Sequence, residues 1–236
     1  MTKIFTIEKY KTKEEWLSNR GFGGTSASAI MGKNPYMSKI ELYDSIVNGL
    51  NKKNVSNKAT EFGTNLEPLI RNEFIYDYKD IIKVKEPPKG NWLFRRIDKP
   101  YLTASLDGEL KLLNPFLNLK KGSKGILEIK TRELRGYKEL EEWASGILPQ
   151  HYYIQVLHYL LITNYDFAIL RARLRLVDYE TKLITQVVVK DFVIKRSEVV
   201  DELKLLEKKE TEFYEENIVK KQRPKFIIKI WKENYD

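Results

Sequence analysis

Two spacings of apolar residues alternate along the chain and place its elements. Between Ala59 and Tyr78, Phe62, Leu66, Leu69, Ile70 and Phe74 recur at helical spacing, with Pro68 expected to bend the helix or mark a break. Thr12 and Glu15 have capping-box spacing and open a short helix that carries Trp16 and Arg20 one turn apart. Ser38 and Glu41 repeat the signal before a helix with Ile40, Tyr43, Ile46, Val47 and Leu50 on its apolar side. Period-two patterns take over at Ile81–Val84, Trp92–Arg95, Leu102–Leu106, Glu109–Leu113 and Ile126–Lys130, and "LDGE" between two of these reads as a hairpin turn. "NPFLNLKKGSKG" reads as a loop. Helices follow at about 133–144 and 150–163, then two long strands, "FAILRARLRLV" and "ITQVVVKDFVI", joined at "DYETK". A last amphipathic helix spans roughly 198–219, and "PKFIIKIWKENYD" reads as a short strand or arm. The glycine- and hydroxyl-rich stretch "GFGGTSASAIMGKNPYMS" shows neither period and ends in a turn at Asn34-Pro35. Helices before, within and after a strand region predict an α/β fold with a mixed sheet.

One strand breaks its own pattern. In "GILEIKTRE", Leu127 and Ile129 share one face and Glu128 and Lys130 the other, so a core-type strand carries a carboxylate and an ammonium side by side. Asp107 ends a neighbouring strand signal at a glycine turn. If the two strands pair, two carboxylates and an ammonium meet at one sheet edge. Close carboxylates repel, and a hard divalent cation with oxygen ligands relieves them. Glu-x-Lys recurs at Glu109–Lys111 and Glu202–Lys204, so alone it is a weak signal that reads first as a strand-surface ion pair. Glu128 is preferred to Glu109 because its strand is the more apolar.

Composition narrows the chemistry. The chain of 236 residues is long enough for one well-cored domain, and it is expected to be a single domain over 1–236 with the helix and tail from about 197 to 236 as an appendage. A formal net charge of +9 favours an anionic partner, nucleic acid before a membrane surface. There is no cysteine, which excludes disulfides, zinc ribbons, iron–sulfur clusters and thiol nucleophiles, and only His151 and His158 supply imidazole. The start of the chain lacks signal-peptide character and no apolar stretch is long enough to span a bilayer. A soluble, cytoplasmic protein is expected.

Further polar residues sit at suggestive spacings. Gly63 and Glu67 lie one helical turn apart, and His151, Gln155 and Tyr159 form a polar stripe on an otherwise apolar helix. Arg171, Arg173 and Arg175 share one strand face, which reads equally as a duplex path or as a solvated face paired with glutamates.

Taken in order, "RGFGGTSASAIMGKNPY", "FGTNLEP", "SLDG", "LEIKT" and "QVLHY" resemble the lambda-type alkaline exonucleases, the YqaJ-like viral recombinase family of the PD-(D/E)XK nuclease superfamily. The resemblance runs from about Trp16 to Thr163. It implies a restriction-endonuclease-like core, a mixed central sheet flanked by helices. It implies magnesium, as two ions that manganese can replace, on Asp107, Glu128, the carbonyl of Ile129 and Glu67. Lys130 would act on the nucleophilic water and Gln155 would steady that water or the scissile phosphate, with Tyr159 completing the helix element. Arg20 with Thr25, Ser26 or Ser28 matches the segment that holds a DNA 5′-phosphate, Trp16 lying beside it. Leu106 stands where the superfamily's name anticipates proline.

The implied activity is magnesium-dependent 5′→3′ digestion of linear duplex DNA. It leaves 5′-phosphates and a 3′ overhang for a single-strand annealing protein in phage-type recombination. Some members form a ring-shaped homotrimer, and a phage-encoded member would work in the host bacterial cytoplasm. The alternatives are an endonuclease of the same superfamily and a DNA-end-binding module without catalysis. A helicase–nuclease of the Cas4 kind is disfavoured because its cluster cysteines are absent.

Overall fold

The structure, a computed structural model, describes residues 3–49, 58–87, 90–134, 136–178, 180–181 and 183–225. The expected position of Leu50 and the tail from 226 onward lie outside the described residues. The first strand, β1 (Phe5–Tyr10), leads to α1 (Lys13–Asn19), α2 (Gly24–Ile30), α3 (Lys39–Val47) and the long α4 (Lys58–Asp77). Both capping boxes form: Thr12 with Glu15 starts α1, and Ser38 with Glu41 starts α3. Pro68 is accommodated inside α4.

The strands β2 (Ile82–Lys85), β3 (Asn91–Arg96), β4 (Thr103–Ala104), β5 (Gly108–Leu112) and β6 (Lys124–Leu134) follow. After them come α5 (Tyr137–Ala144), α6 (Gln150–Thr163), β7 (Phe167–Val177), β8 (Ile184–Lys195) and α7 (Val200–Glu212), which ends in a wider turn at Phe213–Val219. Five strands make a mixed sheet in the order β2-β5-β6-β7-β8, parallel only between β6 and β7. That parallel pair needs a long crossover, and α5 and α6 supply it. A smaller antiparallel sheet has the order β1-β3-β4.

The central strand β6 divides the core in two. Leu127 and Ile129 pack with Ile70 and Phe74 of α4 and with Phe167 and Ile169 in one apolar cluster. Ile126 points the other way, into a larger cluster with Val156, Leu160, Ala168 and Leu170. Glu128 shares the Ile126 face, so the charged side of β6 looks toward α6.

Several expectations are corrected. The glycine- and serine-rich stretch contains α2, whose Ala27, Ala29 and Ile30 are buried; its small residues hide the period but permit close packing. The strand β1 was not foreseen because charges interrupt its apolar positions; it pairs with β3 along its whole length. The "LDGE" segment is not a hairpin turn. Thr103–Ala104 pairs with β3, whereas β5 lies between β2 and β6, so the chain passes from one sheet to the other at Ser105–Asp107. The strand β6 continues to Leu134, held by its ladder with β7, and α5 starts later than the sequence suggests.

The segment expected to be an appendage contributes Leu203, Leu206 and Phe213 to the larger core. Arg171, Arg173 and Arg175 face acids rather than open solvent. Arg171 is 2% exposed by side chain, between Asp77 at 2.8 Å and Asp191 at 2.7 Å; Arg173 meets Glu73 at 3.6 Å, and Arg175 meets Glu133 at 2.6 Å. No helix among the described residues is long and apolar enough to cross a membrane.

Candidate active site

The crossing at Asp107 and the antiparallel pairing of β5 with β6 make the site. Gly108 is opposite Leu127, which puts Asp107 against Glu128 and Ile129. The Ile129 N–H donates to Asp107 Oδ2 at 2.7 Å. Glu128 is buried at 2% exposure; its Oε1 accepts from Lys130 Nζ at 2.6 Å and from Gln155 Nε2 at 2.7 Å. Gln155 also donates to the Tyr159 hydroxyl at 2.9 Å, so the polar stripe of α6 faces β6 as a connected network. Glu128 Oε2 is buried without a hydrogen-bond partner.

Glu67 comes to this edge from α4 and pairs with Arg71 one turn on. Arg71 Nε also donates to the Asp107 carbonyl at 2.7 Å, so one buried guanidinium ties α4 to the sheet crossing. Nothing in the sequence reading singled out Arg71. Its position four residues after Glu67 was the available signal. At Gly63, a Cβ would lie 3.2 Å from Thr131 Oγ1, so the glycine does let α4 approach β6.

The electrostatics describe an over-anionic pocket. Burial pushes the Asp107 carboxyl well above the usual range, and the charges of Glu128 and Glu67 add to it against Lys130 and the Ile129 N–H. Burial also raises Glu128, with Lys130 opposing and Glu67 adding. Burial works against the Lys130 ammonium, but Glu128 and Asp107 outweigh it and hold the group above its usual value. Lys130 is therefore a cation in this state. The Tyr159 phenol is raised by burial and by the same two carboxylates, so it stays protonated.

Among the described residues no three acidic or imidazole side chains stand ready around one point. Each carboxylate is instead drawn onto an internal donor: Asp107 onto the Ile129 amide, Glu128 onto Lys130 and Gln155, Glu67 onto Arg71. The donor set nonetheless fits a hard divalent ion. It consists of oxygens, its carboxyls resist ionisation for want of positive charge, and one buried oxygen has no partner.

The other predicted residues gather nearby. Helix α2 lies on α6 so closely that a Cβ on Gly24 would fall 2.2 Å from Gln155 Cγ. Gly24 is thus what lets α2 pack against the helix that carries Gln155. The Arg20 guanidinium stacks 4.5 Å from the Trp16 ring centre, and Trp16 is anchored by its N–H to the Trp92 carbonyl at 3.0 Å. Arg20 has no acidic partner among the described residues, and its charge is felt at Tyr159. Thr25 is exposed and Ser26 partly so. Ser28 is 1% exposed; its hydroxyl donates to the Thr25 carbonyl at 2.9 Å and accepts from Asn34 at 3.0 Å, so it braces the loop from inside. Glu109, the rival carboxylate, turns elsewhere, to Lys85 at 2.6 Å and the Tyr165 hydroxyl at 2.5 Å.

The model of the YqaJ-like viral recombinase domain matches residues 15–166, the span that holds every group named above. The chain belongs to the YqaJ-like viral recombinase family. A family relative, the uncharacterized protein YqaJ of Bacillus subtilis (strain 168), is 27% identical over 158 residues, 66% of this chain and 44% of that protein. The chain thus spans less than half the length of the curated relative it matches. Among solved structures, the alkaline exonuclease LHK-Exo of Laribacter hongkongensis aligns at TM-score 0.59 and 19% identity, covering 88% of this chain and 94% of that one. The same protein in complex with dAMP aligns at 0.58 and 18%. The fold is accordingly that of this alkaline exonuclease, a mixed sheet with helices on both faces.

Proposed function

We propose that this family member is a divalent-metal-dependent exonuclease that degrades the 5′-phosphorylated strand of linear duplex DNA. It leaves 5′-phosphates and a 3′ overhang suited to a single-strand annealing protein. The observation that carries this reading is the meeting of Asp107, at the start of β5, with Glu128 and Lys130 of the central strand β6 and Gln155 of α6, where one Glu128 oxygen has no partner among the described residues. An ordinary structural ion pair does not bury a second carboxylate beside the first.

Asp107, Glu128, the Ile129 carbonyl and Glu67 would hold the metal, magnesium or manganese. When bound, it supplies a water of lowered pKa and neutralises charge on the phosphodiester. The chain's own groups do the rest. Lys130 lies 2.6 Å from Glu128 Oε1, where its N–H bonds would reach the attacking oxygen or the phosphoryl oxygens on which charge grows. Neutralising the carboxylates would weaken the attraction that keeps Lys130 protonated, which brings its Nζ closer to accepting the water's proton. Gln155, fixed between Glu128 and Tyr159, presents its amide to the water or the scissile phosphate. Hydrolysis joins the water oxygen to phosphorus and releases the 3′ oxygen of the departing nucleotide. Arg20, stacked and without an acidic partner among the described residues, would be a fork for a terminal phosphate, with Thr25 and Ser26 as accessory donors.

The deciding experiment supplies linear duplex with a 5′-phosphate on one strand, and closed circular duplex, in magnesium or EDTA. The proposal expects magnesium-dependent loss of the phosphorylated strand alone, with the circle intact. Nicking of the circle would mean an endonuclease. Binding of ends without cleavage in magnesium or manganese would mean a binding module.

A further inference from the structure

Beside the metal-ligating edge, three aromatic rings form a series that the proposed hydrolysis does not use. Tyr36 is 78% exposed, yet it is not loosely held. Asn34 Oδ1 accepts from the Tyr36 N–H at 2.8 Å and the Met37 N–H at 3.1 Å, while its amide donates to Thr25 and Ser28 of α2. The Tyr36 ring meets His151 edge-on with 6.0 Å between centres, and His151 lies 4.0 Å from the Tyr152 ring. Lys130 Nζ stands 5.1 Å from the centre of Tyr152, so the series ends at the reacting lysine. His151 Nε2 is buried with no hydrogen-bond partner. Burial, with Lys130 and Arg132 behind it, keeps the imidazole below its usual pKa and therefore neutral at pH 7.

Core packing does not account for a ring as exposed as Tyr36 on so well-fixed a turn. The geometry along α6 gives a direction instead. Tyr159, Gln155 and His151 follow one another at four-residue intervals, about 12 Å from end to end. Arg20 acts at the Tyr159 end, Lys130 and Gln155 in the middle, and the rings at the far end. A strand with its terminal phosphate at Arg20 and its scissile phosphate at Lys130 continues toward Tyr36.

We propose that Tyr36, His151 and Tyr152 are a stacking platform for a nucleobase of the substrate strand, on the side of the scissile phosphate away from Arg20. The inference rests on the nuclease reading. Its ligand is an unpaired base, because bases within a duplex have both faces covered by their neighbours and an aromatic side chain needs a free one. Every base has a π-face, so the platform is indifferent to sequence, as digestion of an arbitrary strand requires.

The test uses 5′-phosphorylated single strands with 2-aminopurine at the first, second, third or a central nucleotide, in calcium and in EDTA. Fluorescence reports stacking and anisotropy reports binding on the same sample. Wild type should quench the probe near the 5′ end and not at the centre. Tyr36→Ala should lose the quench and bind about five- to a hundredfold more weakly, whereas Tyr36→Phe should keep both. His151→Ala, checked by its thermal melt, should behave like Tyr36→Ala. Binding without a quench near the 5′ end, or an unchanged quench in Tyr36→Ala, would overturn the platform and leave the nuclease reading standing. Failure of wild type to bind strands or duplex ends at all would overturn both.

Discussion

Under the proposed reading, Asp107 and Glu128 are the residues where function and stability would oppose each other. Both carboxyls are held above their usual range, chiefly by burial, so in the metal-free chain their ionisation works against the fold as pH rises above about 4. Asp107→Asn keeps an oxygen for the Ile129 N–H and removes one of the repelling charges. It should raise the metal-free melting temperature at pH 8, by about 2–4 °C for each kcal/mol of repulsion relieved. It should also remove most of the additional rise that magnesium gives wild type. A lower metal-free melting temperature would mean the carboxylates do not repel.

Glu128→Ala should reduce cleavage at least about a hundredfold, with duplex-end binding kept in a gel-shift assay. Glu109→Ala should cleave as wild type, because both its oxygens are engaged with Lys85 and Tyr165. The reverse pattern would place the chemistry on the wrong strand. At this scale the shared face of Glu128 and Lys130 was readable from the alternation of β6, but the pattern gained weight only beside Asp107 and Gln155, since Glu-x-Lys recurs elsewhere in the chain. Arg71 was not readable, since an arginine four residues after a glutamate on a helix is commonplace until its Nε is seen on the Asp107 carbonyl.

Among the elements, the contact between α2 and α6 sets the site. Gly24 allows the two helices to touch where Gln155 leaves α6, and a methyl group there would overlap Gln155 Cγ and Cβ. Gly24→Ala should cost about 1–3 kcal/mol by urea denaturation. It should lower the cleavage rate by more than that stability loss explains, because Gln155 must move off Glu128. Ordinary rates at full occupancy of the folded state would show that Gln155 does not need its place.

The same contact explains why α2 escaped the pattern. Glycine, serine and alanine carry too little apolar surface to show a period, yet they are the residues that let two helices approach. The strand β1 failed for a different reason. It lies in the small sheet, where its register with β3 is set by a partner more than eighty residues away and not by its own alternation. Capping boxes, by contrast, are local chemistry, and both were found where expected.

At the scale of the whole molecule, a buried ion pair binds α7 to the helix that carries Gln155 and Tyr159. His158 Nδ1 lies 2.6 Å from Glu210 Oε1, and Nε2 lies 3.0 Å from the Thr103 carbonyl. Both ring nitrogens face acceptors, so the imidazolium satisfies the site and the neutral ring leaves one acceptor without a donor. Burial opposes the charge, but Glu210 and the carbonyls of Thr103 and Phe22 outweigh it and raise the His158 pKa. The helix that carries Gln155 and Tyr159 is thereby fastened both to α7 and to the strand that leads to Asp107.

The sign follows from the raised value. The pair's contribution is complete below the unfolded pKa of about 6.5 and is lost as pH rises through the higher folded value. His158→Gln should therefore destabilise most at about pH 6. The cost should shrink with rising pH, by at most about 1.4 kcal/mol per unit. Subtracting the two urea-denaturation profiles cancels the carboxylates of Asp107 and Glu128, which also titrate against the fold. A cost that stayed constant from about pH 5.5 to 9 would show a neutral ring, and the tie to α7 would then be an uncharged-donor hydrogen bond and not an ion pair.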